Sequence, residues 1–270
     1  MIFALPLYDD NPTARVPIVT YGLIGMCAGA FLWQLGQSDE YVAYAFGMIP
    51  ARLFGTSFAN QFPNIVPPWA TIFTSMFLHS GWLHIGGNML FLWIFGNNIE
   101  DVLGSARYLL LYLVSGAAAA LCQAAAYPAS HAPMIGASGA IAGVLGAYLL
   151  LYPRANVHCF VWIIIFFRIV NVPAWLILTF WFAMQIVSGL LSGDDSAGVA
   201  FWAHVGGFVS GLVLIALLRP PGIGLLQPPK TRVFAHAPPG ALAGRRTFHP
   251  GSGSVPSSGA PYGRPRGPWG

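Results

Sequence analysis

Six stretches of the chain are almost entirely apolar and approach the roughly 20 helical residues that cross a bilayer. This pattern predicts helices over residues 17–35, 82–95, 109–127, 138–152, 173–191 and 202–218. The apolar stretch 157–172 is interrupted by Arg168 and Asn171. We expect it to lie at the membrane surface, with Arg168 among the headgroups. The sequence therefore predicts an all-α membrane protein with six transmembrane helices.

Composition supports a membrane protein and narrows its chemistry. Hydrophobic residues make up 56% of the chain and charged residues only 7%, whereas soluble domains carry about 25% charged residues. The three cysteines lie in apolar segments and predict neither a disulfide framework nor a cysteine-rich zinc site. Acidic residues occur as pairs beside apolar runs, which argues against aspartyl intramembrane proteolysis and carboxylate proton relays. The eight are Asp9, Asp10, Asp39, Glu40, Glu100, Asp101, Asp194 and Asp195.

The C-terminal stretch differs sharply from the rest of the chain. Residues 219–270 contain 11 Pro, 10 Gly, seven of the twelve Lys and Arg residues, and no acidic residue. Such a segment buries too little apolar area to offset its ordering entropy, so we expect a disordered basic tail. Arginine spread among proline and glycine is more typical of a membrane-surface or solvated tail, and no nucleic-acid partner is expected. The predicted domains are an N-terminal segment 1–16, a membrane domain 17–218 and the tail 219–270.

Charge asymmetry predicts the orientation of the spans. Six spans put both termini on one side, and the basic tail shares that side with Arg15, Arg107 and Arg154. The positive-inside rule makes this side cytoplasmic. The second, fourth and sixth helices then all run inward, so polar residues near their N-terminal ends can meet at one depth.

Those three helices carry polar groups that are unusual in lipid. His84 and Asn88 share a face of the second helix, Ser138 opens the fourth, and His204 lies near the start of the sixth. A serine beside a histidine can act as nucleophile and general base. Because no acidic residue is available at this depth, we predict a Ser138–His204 dyad. Candidate oxyanion donors are the Ser138 N–H and the side chains of His84 and Asn88.

Small residues recur at four-residue spacing just after the polar groups of the fourth and sixth helices. They are Gly139 and Gly143 on the fourth helix, and Gly207 and Gly211 on the sixth. Such pairs allow helix backbones to approach closely within a membrane. We therefore predict that these glycines pack the two helices together and hold Ser138 near His204.

Three segments together resemble the rhomboid family of intramembrane serine proteases. They are His84-x-x-x-Asn88, Gly136-Ala137-Ser138-Gly139, and Ala203-His204-x-x-Gly207-x-x-x-Gly211. The resemblance covers about residues 15–218.

The resemblance implies a six-helix rhomboid-like bundle without metal or cofactor. In it Ser138 is the nucleophile, His204 the base, and His84 and Asn88 oxyanion-hole groups. The substrate would be the transmembrane segment of another membrane protein, cut near its outer end. The partners are then such substrates and the lipid bilayer, and the location is a bacterial cytoplasmic membrane.

The chain departs from the family pattern at two positions. Trp69 is followed by Ala70, where many members have Trp-Arg in the first outer loop. Ala142 occupies the position where some bacterial members have an aromatic residue stacked on the base. Another group must therefore support His204.

Other functions remain open from the sequence. A catalytically inactive rhomboid-like protein that binds transmembrane helices is the main alternative, although it would normally lack the serine or the histidine. A metal site built from His79, His84 and His204 is disfavoured, because the first two do not share a helical face and no HExxH motif is present. A transporter would show broken spans in two matching halves, and no such repeat is found.

Overall fold

The computed structural model describes residues 2–55, 65–163, 166–192 and 199–228. The helices over these residues are α1 (Ile18–Gln34), α2 (Asp39–Phe46), α3 (Pro50–Leu53), α4 (Thr71–Thr74), α5 (Trp82–Phe91), α6 (Asn97–Leu103), α7 (Ser105–Ala126), α8 (Ser138–Leu151), α9 (Ala174–Leu191) and α10 (Phe201–Leu218). The strands are β1 (Ile2–Asp9), β2 (Asn156–Ile163) and β3 (Phe166–Pro173).

The protein is mostly helical. Each of the six stretches predicted as an apolar helix is helical in the structure, apart from a few residues at its ends. By length and composition α7, α9 and α10 are long and apolar enough to cross a membrane, while α1 and α8 are apolar but shorter. A π-helical turn at Leu92–Gly96 joins α5 to α6 without a break. These helices identify a membrane protein.

Helix α8 lies at the centre of the helical bundle. Every residue from Gly139 to Tyr148 is buried, although the helix is only about 21 Å long at 1.5 Å per residue. That length is less than the roughly 30 Å of bilayer hydrocarbon. Helix α8 alone is therefore too short to cross that layer.

The close partner of α8 is α10, and the two pack backbone against backbone. A Cβ added at Gly207 would collide with the carbonyl oxygen of Gly139, and one at Gly211 with the carbonyl oxygen of Gly143. Only glycine lets the helices approach this closely. This contact fixes the relative depth of the N-terminal ends of α8 and α10.

The all-α prediction is wrong, because the chain also forms a three-stranded antiparallel sheet in the order β1-β2-β3. Residues 157–163 belong to β2 and residues 166–172 to β3, and Arg168 pairs with Val161 across the two strands. Val157 and Cys159 are buried and join the helical core. Aromatic and β-branched residues favour strands in this segment. Strand β2 pairs with β3 on one side and with β1 on the other, so its backbone N–H and C=O groups are hydrogen-bonded on both sides.

The predicted tail also begins too early. The N–H of Leu226 donates to the carbonyl of Leu150 at 2.8 Å, and that of Gln227 donates to Leu151 at 2.8 Å. These bonds satisfy carbonyls that the last turn of α8 would otherwise leave unpaired. Residues 219–228 thus have a defined place against α8. The remainder of the predicted tail, 229–270, lies outside the described residues.

A polar cluster ties the N-terminal strand to the helices at the end of the bundle opposite Ser138. Asp9 accepts a hydrogen bond from the Tyr148 hydroxyl and another from Asn98 Nδ2 at 2.9 Å. Asn98 Oδ1 in turn accepts from Asn11 Nδ2 at 2.8 Å. Burial raises the pKa of Asp9 from 3.8 to about 7, against the lowering effect of the Tyr148 bond.

The raised pKa of Asp9 predicts a pH-dependent stability. Between its unfolded and folded pKa values the folded protein holds a proton that the unfolded chain has lost. The contribution of Asp9 is therefore fully present below the unfolded value and is lost as the pH rises through about 7. The melting temperature of the wild type should fall more steeply between about pH 4 and pH 7 than that of Asp9→Asn. If the melting temperatures of the two proteins changed in parallel with pH, the prediction would be contradicted.

Candidate active site

Ser138 and His204 are in direct contact at the N-terminal ends of α8 and α10. His204 Nε2 lies 2.8 Å from Ser138 Oγ. Ser138 is the first residue of its helix, so its hydroxyl projects from the end of the helix and its N–H is not needed for helical bonding. The serine–histidine pair predicted from sequence is thus brought within hydrogen-bond distance.

Helix α9 supplies two neighbours of His204 that the sequence reasoning missed. Gln185 Oε1 lies 2.8 Å from His204 Nδ1, and the Trp181 ring lies 5.7 Å from the imidazole, centroid to centroid. The sequence does mark Gln185 as unusual, because its amide side chain lies within an otherwise apolar stretch. These groups occupy the supporting role that Ala142 cannot fill.

His84 lies across the site, and its contacts select the tautomer. His84 Nδ1 accepts the backbone N–H of Ser80 at 3.3 Å and lies 3.0 Å from Ser80 Oγ. A backbone N–H can only donate, so Nδ1 must carry the lone pair. In the neutral ring the proton is then on Nε2, which makes that atom a donor.

Gly136 leaves an open space between His84 and Ser138. Its φ of +132° is a conformation that favours glycine. A Cβ at Gly136 would lie 2.8 Å from His84 Nε2 and 3.7 Å from Ser138 Oγ. The absence of this one atom leaves room for a small group within reach of both side chains.

Asn88 lies one helical turn below His84 and lines the same cavity. It is buried, at 7% exposure. Its Nδ2 donates to the His84 carbonyl at 2.9 Å, a bond within its own helix. The second N–H of the same amide remains for another acceptor.

A cavity of about 710 Å³ contains these groups. Its lining includes Ser138, His204, His84, Asn88 and Trp181, together with Ser130 and residues 132–136 of the loop that precedes α8. The volume is within the range of ligand-binding clefts. It can hold a short peptide segment and water together.

The remaining histidine of the considered metal set, His79, is buried and lies against His84 with ring centroids 5.2 Å apart. The His79 backbone N–H donates to Gln34 Oε1 at 3.0 Å, and Gln34 Nε2 donates to the His79 carbonyl at 3.1 Å. Within the part of the chain that the structure describes, no group of three His, Cys, Asp or Glu residues is arranged to hold a metal ion.

Most of the cavity lining lies within a stretch of the chain that matches a known protein family. The family model described as the Rhomboid domain matches residues 67–221, more than half of the chain, and this range includes all of the cavity's polar groups named above.

Three relatives illustrate the similarity. "Rhomboid protein 1, mitochondrial" of Saccharomyces cerevisiae is 33% identical over 53% of this chain and 39% of its own length. "Rhomboid protease GluP" of Bacillus subtilis is 33% identical over 58% of this chain and 27% of its own. "Rhomboid protease AarA" of Providencia stuartii is 31% identical over 63% of this chain and 62% of its own. The match thus spans less than two thirds of each relative. Because the Rhomboid family model matches more than half of its residues, the chain belongs to the rhomboid family.

Proposed function

We propose that the protein is an intramembrane serine endopeptidase that uses a Ser138–His204 dyad. The observation that carries the proposal is the 2.8 Å contact between His204 Nε2 and Ser138 Oγ inside a cavity large enough for a peptide. Relatives described as rhomboid proteases support the same activity. An inactive helix-binding protein would have no need of this pair in hydrogen-bond contact.

The chemistry needs a neutral His204 whose Nε2 carries the lone pair. Ser138 Oγ attacks the scissile carbonyl carbon while its proton moves to His204 Nε2. The imidazolium then gives the proton to the leaving nitrogen as the C–N bond breaks. Water, deprotonated by His204, attacks the resulting ester, and the proton returns to Ser138 Oγ as the acid product leaves.

The developing oxyanion would occupy the open space beside Gly136. There it accepts hydrogen bonds from the Ser138 N–H, from His84 Nε2 and from the second N–H of Asn88 Nδ2. Donors aimed at this point stabilise the tetrahedral intermediate more than the planar substrate. His84 therefore acts as a donor, in contrast to His204, which acts as a base.

The substrate class follows from the depth of the site. We propose six spans: α1, the continuous stretch from α5 to α6, α7, α8, α9 and α10, with both termini cytoplasmic. The short helix α8 then begins below the outer membrane surface, and the cavity opens near the outer end of a neighbouring span. Transmembrane segments of other proteins are the substrates that reach it. Since named relatives are bacterial and mitochondrial, the bacterial cytoplasmic membrane stays a prediction.

A cleavage assay tests the function. The purified full chain is reconstituted in liposomes with a panel of single-span proteins, and the products are sized and sequenced. We expect cleavage near the outer end of at least one span, together with labelling of the wild type by a fluorophosphonate serine probe. Binding of the spans without cleavage or labelling would identify the inactive helix-binding protein instead.

Replacing Asn88 tests the proposed oxyanion donors. In a soluble serine protease the loss of one such donor lowers the rate on the order of 10²–10³-fold. Because two other donors remain, we expect Asn88→Ala to lower kcat by about 10- to 100-fold. Its melting temperature should change little, because the side-chain hydrogen bond that Asn88 makes within the described residues lies inside its own helix.

Asn98 provides the matched control for Asn88. It lies in the same continuous helical stretch but bonds Asp9 and Asn11, far from the cavity. Asn98→Ala should lower the melting temperature and leave kcat of the folded fraction unchanged. A destabilised Asn88→Ala with normal kcat would remove Asn88 from the catalytic groups.

A further inference from the structure

We infer that Gln185 is a positioning residue that fixes the tautomer and the ring plane of His204. The inference rests on the proposed dyad and adds a third member to it. Of the residues that the structure describes, those lining the cavity include Ser138, His204 and Trp181 but not Gln185. Gln185 therefore acts through His204 and makes no contact with the substrate.

The orientation of the Gln185 amide is determined by a backbone carbonyl. Its Nε2 lies 3.3 Å from the carbonyl oxygen of Trp181, one turn earlier on α9. A carbonyl oxygen can only accept, so the NH₂ group must face Trp181. Oε1 is thereby directed at His204 Nδ1, 2.8 Å away.

The acceptor at Nδ1 determines the chemistry at the opposite ring nitrogen. Oε1 requires a proton on Nδ1, and in the neutral imidazole this leaves the lone pair on Nε2. That lone pair is what accepts the Ser138 proton. Without an acceptor at Nδ1 the ring can place its proton on Nε2, a tautomer that cannot act as the base.

Among the described residues no carboxylate bonds His204, and the Gln185 amide explains how the site can work without one. In soluble triads a carboxylate holds the imidazole and stabilises its cation. A neutral amide selects the same tautomer without adding a buried charge, which would be costly at this depth. It stabilises the imidazolium less than a carboxylate would, so a carboxylate placed here changes the pH dependence in a known direction.

The two site histidines take opposite tautomers, and in each ring the group that faces Nδ1 determines which. At His84 a backbone donor, the Ser80 N–H, faces Nδ1 and makes Nε2 a donor. At His204 an acceptor, Gln185 Oε1, faces Nδ1 and makes Nε2 an acceptor. Two chemically identical rings thus take opposite roles, and at His204 a replaceable side chain sets the role.

The test compares Gln185→Met and Gln185→Glu with the wild type over a range of pH. Methionine has a similar length and suits an apolar helix but offers no comparable acceptor. We expect Gln185→Met to lower kcat on the order of tenfold, with KM little changed, because the lost hydrogen bond is neutral. Gln185→Glu restores an acceptor and should retain more activity at alkaline pH than Gln185→Met. Its acid limb should move to higher pH, by on the order of one unit, because a carboxylate favours the inactive imidazolium.

Met184→Leu is the matched control, since Met184 is the neighbouring residue on α9 and is 45% exposed. It should behave as the wild type in kcat, pH profile and melting temperature. A spectroscopic readout independent of turnover is the ¹⁵N spectrum of histidine-labelled protein, with the His204 signal assigned by its loss in His204→Ala. The wild type should show a protonated Nδ1, and Gln185→Met a redistributed proton.

The outcomes separate this inference from the function on which it rests. If the wild type does not cleave, or if Ser138→Ala cleaves as well as the wild type, the proposed function fails. If cleavage needs Ser138 but Gln185→Met keeps the kcat, the pH profile and the His204 tautomer of the wild type, only the role of Gln185 is overturned. A loss in Gln185→Met that Gln185→Glu does not relieve at any pH, with an unshifted acid limb, also overturns it.

Discussion

Ser138→Ala should reduce cleavage of a single-span substrate to background while leaving the protein folded. Loss of the nucleophile in a soluble serine protease costs on the order of 10⁶-fold in kcat, so no product should be detectable. The substitution removes one hydroxyl at the first residue of α8, whose hydrogen bond to His204 contributes about 1 kcal/mol to stability. The melting temperature should therefore fall by a few degrees at most.

Ser210→Ala is the control for this experiment. Ser210 lies on α10, further along the helix than His204, and has no part in the proposed chemistry. The same chemical change there should leave both activity and probe labelling intact. Specific cleavage by Ser138→Ala, purified from cells that lack other proteases of this class, would remove the dyad from the mechanism.

The sequence predicted the polar core of the site because lipid makes polar residues conspicuous. Ser138, His204, His84 and Asn88 stand out in apolar helices, and the parallel direction of those helices implied a common depth. Gln185 carried the same signal on α9 but lacked a recognisable spacing to any partner. Its contact with His204 depends on how α9 rotates against α10, which the pattern of apolar residues does not determine.

The sheet could not be predicted from local pattern for a different reason. Strand β2 pairs with β1, which lies about 150 residues earlier in the chain, and Ala4 meets Val161 across the ladder. Apolar strands of this length resemble surface-lying apolar segments when viewed alone. Likewise, the anchoring of Leu226 to α8 depends on backbone bonds, which side-chain composition does not report. In both cases the missing information is a long-range backbone pairing.

Gly211→Ala should have the largest effect on stability among single-methyl additions in the described helices. A Cβ at this position would collide with the carbonyl oxygen, carbonyl carbon and Cα of Gly143 on α8. Because all three are backbone atoms, no side-chain rotation can relieve the clash, and α10 must move away from α8. Overpacking of a rigid core costs about 1–3 kcal/mol and more where backbone must shift. We expect a melting temperature lower by roughly 5 °C or more.

Gly25→Ala is the matched control, because the same methyl on α1 meets nothing within 4 Å. There the change should be neutral or slightly stabilising, since alanine favours helix by about 1 kcal/mol over glycine. In Gly211→Ala the separation of α8 and α10 should also lengthen the 2.8 Å contact between Ser138 and His204. The kcat of its folded fraction should therefore fall, whereas that of Gly25→Ala should not. A Gly211→Ala protein with the melting temperature of Gly25→Ala would show that α8 and α10 are not held in contact at Gly143, and the close packing proposed to align the dyad would have to be abandoned.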